Sequence, residues 1–81
     1  MDEKFPNAHE SAISSLASAA RTRRKALGLS QTEVGLLAGC GKRFVVEFER
    51  SKPTVRLEKV VAVLDVLGLA LTVQPREASP S

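Results

Sequence analysis

Residues 30–50 read SQTEVGLLAGCGKRFVVEFER, a pattern that predicts two short helices joined by a tight turn. Ser30 and Glu33 have the spacing of a capping box, in which each side chain bonds the backbone of the other, so a helix should begin here. The Gly39-Cys40-Gly41 step favours a turn, because glycine adopts backbone angles that other residues avoid. Isolated helices shorter than about 12 residues are marginal in water, so the pair must pack against the rest of the chain.

The second helix of the pair should run from about Lys42 to Arg50, with one apolar side and one charged side. Val45 and Phe48 are three residues apart and form the inner face. At about 100° per residue, the opposite side presents Arg43, Val46, Glu47 and Arg50, with Lys42 and Phe44 at its flanks. This helix therefore offers mainly charged groups on its outer face.

Two further helices are predicted, one on each side of the pair. The first begins between Ala8 and Ala12 and ends before Gly28, a residue type that commonly terminates helices. The last begins after Thr54, a suitable cap, and runs from about Val55 to Leu67. The inward stripes are expected to comprise Ile13, Leu16, Ala17, Ala20 and Leu27; Val34, Leu37 and Ala38; and Leu57, Val60, Val61, Leu64 and Leu67.

Residues 69–74 alternate large apolar residues with small or polar ones, which is the periodicity of a β-strand. A single strand in a helical chain would expose an unpaired edge, so we expect it to pair with the same strand of a second copy. The chain is then divided into a flexible leader at residues 1–10, one domain at residues 11–74 and a disordered tail at residues 75–81.

The charge pattern fits a protein that binds a polyanion. The net charge is +3 over 81 residues, and residues 11–74 hold ten basic against five acidic side chains. A basic face suits DNA. An ordinary solubilising surface would give the same numbers of charged side chains, and charge alone favours this second interpretation.

Residue types with catalytic or ligand chemistry are sparse. One cysteine excludes an intrachain disulfide. The sequence shows no metal-binding Cys/His spacing, no nucleophile-base set and no phosphate loop, so we expect neither an enzyme nor a metal or other cofactor. With no secretory signal and no long apolar run, we expect no membrane segment and a cytoplasmic location.

The segment from Arg21 to Gly68 resembles the Xre/Cro-type helix-turn-helix family. The resemblance is carried by Arg21 and Arg24 before LGLSQTEVGLLAG, the start at Ser30-Gln31, the turn at Gly39, Val45 and Phe48, the Glu49-Arg50 pair, and Pro53 ahead of LEKVVAVLDVLGL. It implies an all-α, lambda-repressor-like bundle of four to five helices. Gly35 stands where the family usually has alanine; glycine keeps the close approach of the helices but weakens its own helix by roughly 1 kcal/mol.

The resemblance also implies roles for particular residues. Gln31 and Thr32 would contact DNA at the start of the second helix, and Arg24 and Glu49 would form a structural salt bridge. The first turn of the third helix would read base edges. The predicted DNA contacts in and after the third helix are Lys42, Arg43, Phe44, Glu47, Arg50 and Lys52.

Side-chain chemistry sorts these contacts into base readers and phosphate contacts. Arg43 suits guanine, whereas Lys42, Arg50 and Lys52 suit phosphates. Phe44 either packs on a thymine methyl group or extends the core. Glu47 either accepts from a cytosine amino group, rejects wrong sequences or braces Arg43.

The C-terminal LDVLGL followed by LALTV is similar to the HipB-type antitoxins. That likeness implies a homodimer joined by a strand containing Leu69, Leu71 and Val73, a palindromic double-stranded DNA operator, repression of its own operon, and a HipA-type serine/threonine kinase toxin as partner. The alternative is a free-standing Xre-type regulator with no toxin partner.

Overall fold

The computed structural model describes residues 8–75 and forms four helices. These are α1 (Ala8–Ala26), α2 (Gln31–Ala38), α3 (Lys42–Glu49) and α4 (Leu57–Val66). The all-α bundle predicted from the sequence is confirmed for this part of the chain. Most of the predicted leader and tail, residues 1–7 and 76–81, lie outside the described residues.

The helix boundaries around the turn follow local sequence signals. Ser30 Oγ accepts a hydrogen bond from the Glu33 N–H at 3.0 Å, and Glu33 Oε1 accepts from the Ser30 N–H at 2.8 Å, so the predicted capping box is confirmed. The chain leaves α1 through Gly28, whose φ of +72° lies in the left-handed region. These two features lie in the short loop between α1 and α2 and mark where the first helix ends and the second begins.

A single apolar core joins the four helices. Helix α2 packs against both α3 and α4, and α1 packs against α3. The buried apolar residues are Ala17, Ala20, Val34, Val45, Phe48, Val60, Val63, Leu64 and Leu67. Val45 and Phe48 are fully buried, as their spacing predicted, so the inner face of α3 is fixed in the core.

Three leucines predicted to face inward are exposed instead: Leu27, Leu37 and Leu57. Each lies in the last or first turn of its helix, or just beyond it. Helical periodicity identifies residues that share a face, but burial also requires a neighbouring element that extends as far as the helix end. In α4, the buried set includes Val63, which the predicted stripe omitted.

Helix α4 also begins later than predicted. Its N-cap is Arg56, and the carbonyl oxygen of Arg56 accepts the first helical bonds from Lys59 and Val60 at 3.1 and 3.0 Å. Thr54, the predicted cap, lies two residues too early to serve. No side chain caps this helix start, and the buried residues Val60 and Leu64 follow in the next turns.

Within residues 8–75 no β-strand is formed, and residues 69–75 are irregular. The predicted strand at residues 69–74 needs a partner strand, which this part of one chain does not offer. Leu69 packs against the core, whereas Leu71 and Val73 are exposed. Arg23 Nε donates to the carbonyl oxygen of Leu67 at 2.9 Å, and this bond ties the end of α4 to α1.

Candidate nucleic-acid interface

The turn between α2 and α3 is closed on Gly35. The carbonyl oxygen of Gly35 accepts from the N–H groups of Cys40 and Gly41 at 3.0 and 3.1 Å. A Cβ added at Gly35 would lie 2.5 Å from the carbonyl oxygen of Gly41 and 2.7 Å from the amide nitrogen of Lys42. Glycine is thus required here for the close backbone approach that was expected at this position.

The far end of α3 is held by an ion pair with α1. Arg24 Nε donates to Glu49 Oε2 at 2.6 Å, and Arg24 Nη2 donates to Glu49 Oε1 at 2.9 Å. The two side chains are 11% and 5% exposed, so this two-point contact is largely removed from water. Arg24 Nη1 also donates to the carbonyl oxygen of Leu29 at 2.9 Å, which attaches the loop between α1 and α2 to the same pair.

Gln31 belongs to this network as well. Its Nε2 donates to Glu49 Oε1 at 3.0 Å. Burial raises the pKa of the Glu49 carboxyl, but the hydrogen bonds from Arg24 and Gln31 outweigh burial and hold that pKa below its ordinary value of 4.5. The hydrogen bond to Glu49 in turn raises the pKa of Arg24. Both groups are therefore charged at neutral pH, and the network fixes α3 relative to α1 and the start of α2.

The outer face of α3 presents charge to solvent. The side chain of Arg43 is 92% exposed, and Lys42 and Arg50 are exposed at the two ends of the helix. Lys52 follows after the chain reverses at Ser51, which has a φ of +65°. The structure thus places the four basic residues predicted to contact DNA on or directly after α3.

A shallow crevice lies beside this face. Its lining includes Arg21 from α1, Gln31 from α2, and Val46 and Arg50 from α3. Arg21 was not among the predicted DNA contacts. Its position one helical turn before Arg24 could have indicated that it lines this crevice, because residues three apart on a helix lie on the same side.

Of the other predicted DNA contacts, Phe44 is partly in the core and Thr32 is at the surface. Phe44 is half-buried, its ring centroid lies 6.1 Å from that of Phe48, and Lys59 Nζ lies 5.7 Å from its ring centroid. This geometry favours the alternative in which Phe44 extends the core over the one in which it reaches a thymine methyl group. Thr32 is exposed in the first turn of α2.

Among the described residues, no helix is both long and apolar enough to span a bilayer. In the same part of the chain, no group of His, Cys, Asp and Glu side chains has the arrangement of a metal site.

Two short helices, a glycine turn, a buried inner face and a basic outer face together define a helix-turn-helix unit. The chain belongs to the helix-turn-helix family, whose model matches residues 21–74. It is similar to an "Uncharacterized HTH-type transcriptional regulator y4mF" of Sinorhizobium fredii (strain NBRC 101917 / NGR234), at 42% identity over 53 residues, which is 65% of this chain and 70% of that protein. Membership of this family indicates that the protein binds DNA in the regulation of transcription and is not an enzyme.

Proposed function

We propose that this protein is a sequence-specific transcriptional repressor whose α3 reads base edges in the major groove. The observation that carries the proposal is the division of α3 into two faces. Val45 and Phe48 are fully buried, whereas the side chain of Arg43 is 92% exposed on the other side. The Arg24–Glu49 pair joins the end of α3 to α1 and so orients this face.

The side chains divide into base readers and phosphate contacts. Arg43 can bond the O6 and N7 atoms of guanine through two parallel hydrogen bonds. Lys42, Arg50 and Lys52 contact phosphates, which position the protein without reading sequence. Gln31 and Thr32 lie in the first turn of α2, where backbone N–H groups and the helix dipole favour a phosphate.

The test is a binding measurement on two duplexes at near-physiological salt. Fluorescence anisotropy would compare the DNA directly upstream of the protein's own gene with a scrambled duplex of the same length and composition. A preference of about a thousandfold or more supports a sequence-specific autoregulator. Equal, weak and steeply salt-dependent binding to both duplexes would mean that only charge is at work, and would refute base reading.

Replacing Arg43 with alanine should weaken binding to the preferred duplex by about 1 to 3 kcal/mol and leave binding to the scrambled duplex much less affected. The reason is that a base contact is made only at the matching site. Lys42→Ala is the matched control, because loss of a phosphate contact weakens both duplexes alike. If Arg43→Ala also weakens both equally, Arg43 is a phosphate contact.

The proposed acting form is a homodimer on a palindromic site. Support comes from the segment after α4, where Leu71 and Val73 are exposed although both are large and apolar. Pairing residues 69–74 of two copies as antiparallel strands would cover these side chains and satisfy the backbone edge. Two α3 helices would then enter the major groove one DNA turn apart, a spacing of about 34 Å.

Replacing Leu71 with aspartate should convert the dimer to a monomer, because the charge would fall at the centre of the paired strands. Sedimentation velocity measures the change directly. Thr72→Asp is the matched control, since alternate residues of a strand point to opposite faces and Thr72 should face water. A Leu71→Asp protein that still sediments as a dimer would place the interface elsewhere.

The resemblance of residues 64–73 to HipB-type antitoxins refines the proposal: the repressor would bind and restrain a HipA-type serine/threonine kinase toxin in the cytoplasm. A kinase reading frame adjacent to the gene, and a stable complex of the two purified proteins, would support this role. If the adjacent frames encode no such kinase, the protein is a free-standing Xre-type regulator.

A further inference from the structure

Glu47 lies between two of the cations that α3 would offer to DNA. Arg43 Nε is 3.4 Å from Glu47 Oε2, and Lys52 Nζ is 3.3 Å from Glu47 Oε1. Each carboxylate oxygen thus faces a different basic side chain. The Arg43 contact spans one helical turn, whereas the Lys52 contact depends on the chain folding back after α3.

The fold-back is part of the backbone structure. Ser51 adopts a left-handed conformation with φ of +65°, and the N–H of Lys52 donates to the carbonyl oxygen of Glu47 at 3.1 Å. The backbone of Lys52 is therefore attached to the same residue that its side chain contacts. This places the Lys52 ammonium beside the carboxylate in the protein without DNA.

Stability does not account for an acidic residue at this position. Exposed ion pairs contribute little to folding, and the side chain of Arg43 is almost fully exposed. The hydrogen bond from Lys52 and the nearby charge of Arg43 keep the pKa of Glu47 below its ordinary value of 4.5, so the group is ionised at neutral pH. An ionised carboxylate on the face that meets DNA is repelled by phosphates.

We infer that Glu47 is a specificity-determining residue that suppresses non-specific DNA binding by occupying Arg43 and Lys52 as a phosphate would. This inference rests on the proposed DNA-binding function. On random DNA, the two cations must leave Glu47 to reach the backbone, and the carboxylate opposes their doing so. At the operator, Arg43 can bond guanine through its two terminal Nη groups while its Nε keeps the contact with Glu47 Oε2, so the carboxylate opposes binding less there than on random DNA. The ratio of specific to non-specific affinity therefore rises.

The experiment compares the wild-type protein with Glu47→Gln on the upstream and scrambled duplexes over a range of salt concentrations. Glutamine keeps the size of the side chain and removes its charge. We expect affinity for the scrambled duplex to rise about tenfold. The slope of the logarithm of its binding constant against the logarithm of salt concentration should become steeper by about 0.9 for each cation that is freed to contact a phosphate. Affinity for the upstream duplex should change less, so the ratio between the two falls.

Glu58→Gln is the matched control. Glu58 lies on α4 and pairs with Arg56 at 3.4 Å, so the substitution removes the same charge from an ion pair of similar length outside α3. Equal effects of the two substitutions would show that only net charge matters and would overturn the inference. Weaker binding of Glu47→Gln to both duplexes would also overturn it, because Glu47 would then contribute favourably to DNA contact.

A double-mutant cycle with Lys52→Gln tests the mechanism. If Glu47 occupies Lys52, Lys52→Gln should cost little affinity for the scrambled duplex in the wild-type protein and several-fold more in the Glu47→Gln protein. Additive effects would contradict the inference. Failure of the wild-type protein to bind either duplex at low salt would instead refute the proposed function itself, and the inference with it.

Discussion

Replacing Arg24 with alanine is expected to lower the free energy of unfolding by about 3 to 5 kcal/mol. The side chain of Glu49 is only 5% exposed and receives two hydrogen bonds from Arg24. Without Arg24, that carboxylate would keep its bond from Gln31 but lose its charged partner. A small domain has a total stability of about 5 to 15 kcal/mol, so the loss would be a large share of it.

Urea denaturation followed by circular dichroism measures this effect. Arg21→Ala is the matched control, because Arg21 lies one turn earlier on α1 and is exposed, and we expect it to change stability by about 0.5 kcal/mol or less. The Arg24→Met, Glu49→Leu double variant should recover much of the loss, since two apolar side chains leave no buried unpaired charge. An Arg24→Ala protein as stable as Arg21→Ala would show that the pair does not hold α3.

The features predicted from the sequence are those whose physical cause is local. The capping box joins Ser30 to Glu33, and Gly28 ends α1 through its own backbone angle. Both interactions involve residues a few positions apart, so the sequence pattern contains everything that they require. The inner face of α3 was predictable for a related reason, because Val45 and Phe48 are its large apolar residues at helical spacing.

The features that were missed depend on distant parts of the chain. Arg23 bonds the carbonyl oxygen of Leu67, 44 residues away, and nothing in the residues around Arg23 indicates that partner. The exposure of Leu37 and Leu57 depends on how far the neighbouring helices extend, which helical periodicity does not state. The surroundings of these residues can be described only once the packing of the helices is known.

The candidate site also contains features that local sequence predicts and features that depend on the folded chain. Helical projection placed Arg43 and Glu47 together on the outer face of α3, and four residues of spacing is enough to predict their contact. The contact of Lys52 with Glu47 was not predicted, because it depends on the left-handed backbone of Ser51, a conformation that serine seldom adopts. The sequence leaves two roles open for Phe44, and the packing of its ring against Phe48 favours the role in the core.

Replacing Gly35 with alanine should destabilise the protein by about 3 kcal/mol, although alanine is the better helix former by about 1 kcal/mol. The added Cβ would meet the carbonyl carbon and oxygen of Gly41 and the amide nitrogen of Lys42. These are backbone atoms, so no side-chain rotation relieves the contact. The start of α3 would have to move away from α2, and affinity for the upstream duplex should fall along with stability.

Gly39→Ala separates this effect from simple backbone strain. Gly39 has a φ of +73°, but a Cβ there would enter open space, so we expect a cost of about 1 to 2 kcal/mol from strain alone and little displacement of α3. Thermal unfolding and DNA affinity, measured well below both melting temperatures, distinguish the two variants. If Gly35→Ala binds DNA as tightly as Gly39→Ala, the close approach at Gly35 does not set the position of α3, and the turn must tolerate a displacement that leaves the outer face of the helix in place.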